Sequence, residues 1–261
     1  MDRSLTSILK GALIAGVLAG IIVASYHYVV TEPVLQRAID AEEAFSASRP
    51  EPAGEHAHDD EEEIVTRGTQ RTFGLFTGFF FYGVAWSLIA AAIYYPTQRF
   101  LPLASVTGRA LSMAALLYWA VAFLPFMRYP ANPPGVGDPG TIGHRQELFV
   151  GFLALSLLAA VVALLAGEAA SRGMLSDGLK RYRALVVASV LVVSGAVLYL
   201  AFPPFTDPVN IAQSLVDSFR WRSLLGLTLF GAIFGAGFAF ILGRSGEERA
   251  TVKSPRLEAS S

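Results

Sequence analysis

The chain has 261 residues, of which 53% are hydrophobic and 16% charged, and its formal net charge is −1. Soluble domains hold roughly 25% charged residues, so the composition describes an all-α integral membrane protein with lipid around it and no nucleic-acid partner. With no cysteine, disulfides, thiolate metal sites and cysteine nucleophiles are excluded, and any metal must be held by nitrogen and oxygen.

The first apolar run, 8–30, is long enough at about 1.5 Å per residue to cross a hydrocarbon core of ~30 Å. It follows Arg3 and includes Lys10, like the start of a signal peptide. It is nevertheless longer than the usual apolar core of about 7–15 residues and has no convincing cleavage site, so an uncleaved first helix is expected over 1–30. Gly16 and Gly20 form a GxxxG pair that lets another helix approach closely.

Residues 31–72 are polar, with eleven Asp or Glu against four Arg, and contain the run His56-Ala-His-Asp-Asp-Glu-Glu-Glu63. Concentrated negative charge and little apolar surface predict a solvated linker, with a short interfacial helix over 32–45. A sharper reading is a cation-collecting arm. In it His56 and His58 recruit a divalent metal beside the carboxylates, and His27 and Glu32 at the end of the first span are further candidate ligands.

Five more spans are expected near 73–95, 110–127, 148–167, 184–202 and 223–242, giving six helices and a membrane region over 73–243 before a polar tail at 244–261. No Asp, Glu, Lys or Arg stands in the central part of these spans, where one would mark an ion or proton relay. Trp86, Trp119, Trp221 and several tyrosines are candidates for interfacial belts or for packing. Arg99, Arg109, Arg172, Lys180, Arg181, Arg183 and the basic tail, with Arg3 and Lys10, place both termini in the cytoplasm of a multi-pass plasma (inner) membrane protein. All four histidines, His27, His56, His58 and His144, then face outward.

Between the third and fourth spans lies Tyr129-Pro-Ala-Asn-Pro-Pro-Gly-Val-Gly-Asp-Pro-Gly-Thr-Ile-Gly-His-Arg145. Its prolines withhold N–H donors and its glycines permit turns, so no helix or ladder strand is expected from 129 to 145. Asn132, Asp138, Thr141, His144 and Arg145 are its candidate binding residues, His144 and Asp138 first among them for a metal. A second turn, Phe202-Pro-Pro-Phe-Thr-Asp-Pro-Val-Asn210, offers Asp207 and Asn210 on the same side. Bland roles stand beside these: a capping or hydrogen-bonding role for His144, an Asx turn for Asp138, and helix-end anchoring for Arg145, Arg220 and Arg222. A weak parallel repeat relates Arg71–Phe79 to Arg145–Phe152.

The Pro130–Gly143 string, Gln146 and the downstream Phe219-Arg-Trp-Arg-Ser223 resemble the signature loops of the CbtA family of cobalt transporter subunits. The resemblance implies a multi-pass protein of cobalt uptake, with cobalt(II) as substrate and no permanently bound cofactor. It also implies a small histidine-bearing membrane partner, CbtB. A Co²⁺ ion suits imidazole, carboxylate and water, which the outward face supplies. The alternatives are a non-transporting membrane scaffold and, third, a membrane enzyme. The enzyme is disfavoured because the chain has no nucleophile–base pair, HExxH helix, P-loop or paired acidic motif.

Overall fold

The computed structural model describes residues 4–48, 66–173 and 182–253. Six helical spans are present: α1 (Leu5–Ala47), α2 (Arg67–Phe100), α3 (Val106–Arg128), α4 (Pro139–Ser171), α5 (Arg183–Ala201) and α6 (Gln213–Lys253). All are long and apolar enough to cross a membrane, and among the described residues the only β pairing is an isolated bridge. This is the all-α, six-span membrane protein that the hydropathy pattern predicts.

The spans run further than their apolar cores, and α1 shows why. Pro33 should end the helix, yet α1 continues through a π-helical turn, His27–Thr31, into Glu32–Ala47. In that wide turn the Glu32 N–H reaches back five residues to the His27 carbonyl, which relaxes the crowding that a proline ring imposes on the preceding turn. The same device recurs in α3, where π-helical Tyr118–Phe123 precedes Pro125 and the Leu124 N–H bonds the Trp119 carbonyl. The Ala120 carbonyl loses its backbone donor there, because residue 125 is a proline; the buried Ser156 hydroxyl of α4 donates to it at 2.5 Å.

Close packing begins at α1 and α2. Gly16 and Gly20 lie against the backbone of Gly83 and Phe79, where any added Cβ would collide with a carbonyl. Ser87 donates at 2.7 Å to Ala12 and to Gly83, so the GxxxG pair does bring two backbones together, with a hydroxyl between them. An aromatic file on α6 then fills the core: Phe230, Phe234 and Phe238 stack at four-residue spacing, with Trp86 and Tyr94 of α2 edge-on to them. Trp86 and Tyr94 are thus packing residues, whereas Trp221 is exposed. In this arrangement α2 packs on α1 and α3 on α6, while α4 and α5 form a hairpin at the side. The two stretches of the weak repeat therefore open pairs that pack differently.

Both proline-rich connections lie at one end of the bundle, beside the C-terminal part of α1: Gly135 meets Ile211 and Glu42. At the opposite end Arg183 donates to the Phe100 carbonyl at 2.6 Å and pairs with Glu168 at 3.0 Å, and Glu168 also holds Arg172 at 2.9 Å.

Candidate functional site

The loop end is assembled from two segments distant in sequence. After α3, Tyr129 turns the chain: its phenol donates to the Pro203 carbonyl at 3.0 Å and its ring stacks on Phe205 at 4.2 Å. Burial pushes the phenol's pKa up while Arg128 beside it pulls the other way, so the group stays a neutral donor. Gly135 (φ 82°) and Gly137 (φ 118°) adopt backbone conformations that side chains resist. Between them Val136 forms an antiparallel bridge with Val209. The Asn210 N–H donates to Gly135 O at 2.9 Å and the Gly137 N–H to Pro208 O at 3.0 Å. The two proline-rich segments therefore form one hydrogen-bonded layer.

Side chains fasten the layer to the helices. Arg145 pairs with Asp207 at 3.2 Å, with the Asp207 side chain 8% exposed, and the Thr141 hydroxyl donates to Asp207 at 3.4 Å. Arg220 of α6 donates twice to Asn132 Oδ1, at 2.7 and 3.2 Å. Arg128 donates to the Phe202 carbonyl and lies 4.9 Å over the Tyr199 ring.

One sequence expectation is corrected. The irregular backbone stops at Asp138, not Arg145: the Asp138 carboxylate accepts from the Gly140 N–H at 2.8 Å and Pro139 takes the first position of a 3₁₀ turn that leads into helix at Ile142. An Asp N-cap followed by proline is a strong helix start, because the cap satisfies an orphan donor and proline has none to satisfy. His144 and Arg145 are consequently first-turn helical residues.

The expected site residues divide into groups. Asn132, Thr141, Arg145, Asp207 and Asn210 are brought together as the fasteners of the layer. Asp138 and His144 are exposed on its surface, and only Asp138 has a structural partner among the described residues. His27 lies apart, inside the bundle. Its Nδ1 shares a 2.9 Å hydrogen bond with Thr31 Oγ1, its ring stacks on Phe79 at 5.0 Å, and it borders a cavity of about 460 Å³ with Tyr82, Ser223 and Gly226. Glu32 is buried against Arg67 at 2.5 Å, a pairing that competes with any metal. His56 and His58 lie outside the described residues. No group of three His, Asp or Glu side chains arranged for a metal occurs among the described residues. Sequence reasoning passed over Arg128 and Glu147; an isolated arginine closing an apolar run beside a Pro/Gly loop is the signal that marks the former.

The backbone of this layer turns its polar groups onto each other, while Asp138, His144 and Glu147 offer exposed oxygen and nitrogen donors. Such a surface can meet a hydrated divalent cation without enclosing it. No curated protein and no solved structure matches the chain. A family model described as probable cobalt transporter subunit (CbtA) matches residues 5–243, nearly the whole chain, and the protein belongs to that family.

Proposed function

We propose that this protein is the polytopic subunit of a cobalt uptake transporter of the plasma membrane, and that the loop end faces outward and admits the ion. The role is non-enzymatic, with cobalt(II) as cargo. The observation that supports it most is the extent of the family match, which takes in every span. Asp138 and His144 on the exposed surface are the first donors that an arriving cation meets, and His27, oriented by Thr31, is the nitrogen available deeper in. The helix centres hold no acidic or basic residue. An uncompensated divalent ion in hydrocarbon is prohibitively costly, so backbone carbonyls, water and a partner subunit must supply the rest of its shell. A small histidine-bearing membrane protein fits that need.

A scaffold without a path of its own is the second reading. It is favoured by the cationic character of the layer, where Arg128 and Arg220 line one cavity with Asp207, whose carboxylate is held by Arg145. Radiolabelled cobalt uptake in cells lacking other importers, with and without the small partner, separates the two. The Asp138→Ala/His144→Ala double variant should lose most uptake per molecule at normal abundance. Uptake per molecule equal to wild type would favour the scaffold.

A further inference from the structure

A cavity of about 370 Å³ opens at the loop end between the last turn of α3, the end of α5 and the first turns of α6. The side chains lining it that carry polar groups are Arg128, Asn132, Tyr199, Asp207 and Arg220. Asp207 is already neutralised by Arg145 at 3.2 Å. The two other guanidinium groups have neutral partners only. Arg220 directs Nε and Nη2 at the amide oxygen of Asn132, and Arg128 directs Nη2 at the Phe202 carbonyl. Arg128 Nε is shut away from solvent with no acceptor at all. Neither arginine makes an ion pair among the described residues.

Two cations without counter-ions bordering one partly enclosed cavity repel each other, and removal from bulk water strengthens that repulsion. A guanidinium fork matches the paired oxygens of a carboxylate or phosphate, and an anion placed between two of them removes the repulsion and gains charge-assisted hydrogen bonds. The volume is about twelve times the ~30 Å³ that a water occupies in the liquid, so an oxyanion with some of its hydration fits. We infer that this cavity is an anion site, in which Arg128 and Arg220 hold one phosphate or carboxylate group. A bare metal cation is repelled from the same place, so this site is separate from the proposed donors Asp138, His144 and His27.

The chemistry admits two sources, the headgroup of an anionic lipid at the membrane boundary or a free oxyanion. Thermal unfolding of the purified, delipidated full-length protein in detergent distinguishes them, with inorganic phosphate, short-chain phosphatidylglycerol and short-chain phosphatidylcholine titrated at fixed ionic strength. Saturable stabilisation by phosphate identifies a free oxyanion, and stabilisation by phosphatidylglycerol alone identifies a headgroup. Either supports the site, provided the affinity falls about tenfold or more in Arg128→Gln/Arg220→Gln. Asn132→Asp should weaken binding by a similar factor, because it keeps the shape and both hydrogen bonds to Arg220 while adding an internal counter-charge; it serves as the test if the double variant does not fold. No stabilisation by either anionic probe, or equal affinity in Asn132→Asp and wild type, overturns the assignment.

Discussion

Ser156 shows how a single hydroxyl can decide whether a distorted helix is tolerable inside a membrane. The wide turn at Tyr118–Phe123 deprives the Ala120 carbonyl of its backbone donor, and the hydroxyl of Ser156 replaces it from the neighbouring helix. Ser156→Ala leaves that carbonyl unsatisfied in a region without water, at a cost of about 1–2 kcal/mol. Ser156→Thr keeps a donor. Unfolding measured in mixed micelles should rank wild type first, then Ser156→Thr, then Ser156→Ala, and an Ala variant as stable as wild type would refute this account. At this scale the chemistry-bearing residues of the loop end were legible, since isolated polar groups among prolines and glycines stand out in the sequence. Their partners were not. Arg220 meets Asn132 across 88 positions and Arg145 meets Asp207 across 62, and no local periodicity encodes such a pairing. Hence Arg145 and Asn132, offered as binding residues, are found holding the layer together.

Between elements, the closest packing is set by residues that lack a side chain. Gly16, Gly20 and Gly83 allow α1 and α2 to touch backbone to backbone, and a Cβ at Gly83 would press on the Gly16 carbonyl. Gly83→Ala should therefore force the helices apart and cost about 1–3 kcal/mol, the usual range for overpacking a core. Gly78, five residues away on the same helix, has nothing within 4 Å of an added Cβ. Gly78→Ala should leave abundance and unfolding unchanged. Helix propensity favours Ala at both positions, so equal losses at the two would show that the close crossing at Gly83 is not responsible. The GxxxG pair and the six spans were readable because hydropathy and spacing are properties of one segment. The length of α1 was hidden, since a drop in hydropathy at Thr31 and a proline at 33 look like an ending. Only the π-helical turn, an adjustment of backbone register with no side-chain signature, lets the helix continue.

For the molecule as a whole, six spans return the chain to the side where it began, so one measurement of sidedness fixes every loop. The described arginines do not separate the two ends by number, since Arg37, Arg67, Arg71, Arg128, Arg145, Arg220 and Arg222 belong to the loop end. Several of these are bound within the protein, as the pairs with Glu32, Asp207 and Asn132 show. The described lysines fall on one side: Lys10 and Lys253 belong to the opposite end, with Arg99, Arg109, Arg172, Arg183 and Arg244. Basic residues flanking spans are retained on the cytoplasmic side during insertion, and carboxylates contribute little to that choice. The opposite end should accordingly be cytoplasmic and the loop end external. Reporter fusions after Arg183 and Arg256 should show cytoplasmic behaviour and one near Gly54 should report the exterior. The reverse pattern would put Asp138, His144 and the Arg128–Arg220 cavity inside the cell, and the proposed direction of cobalt capture would fail with it.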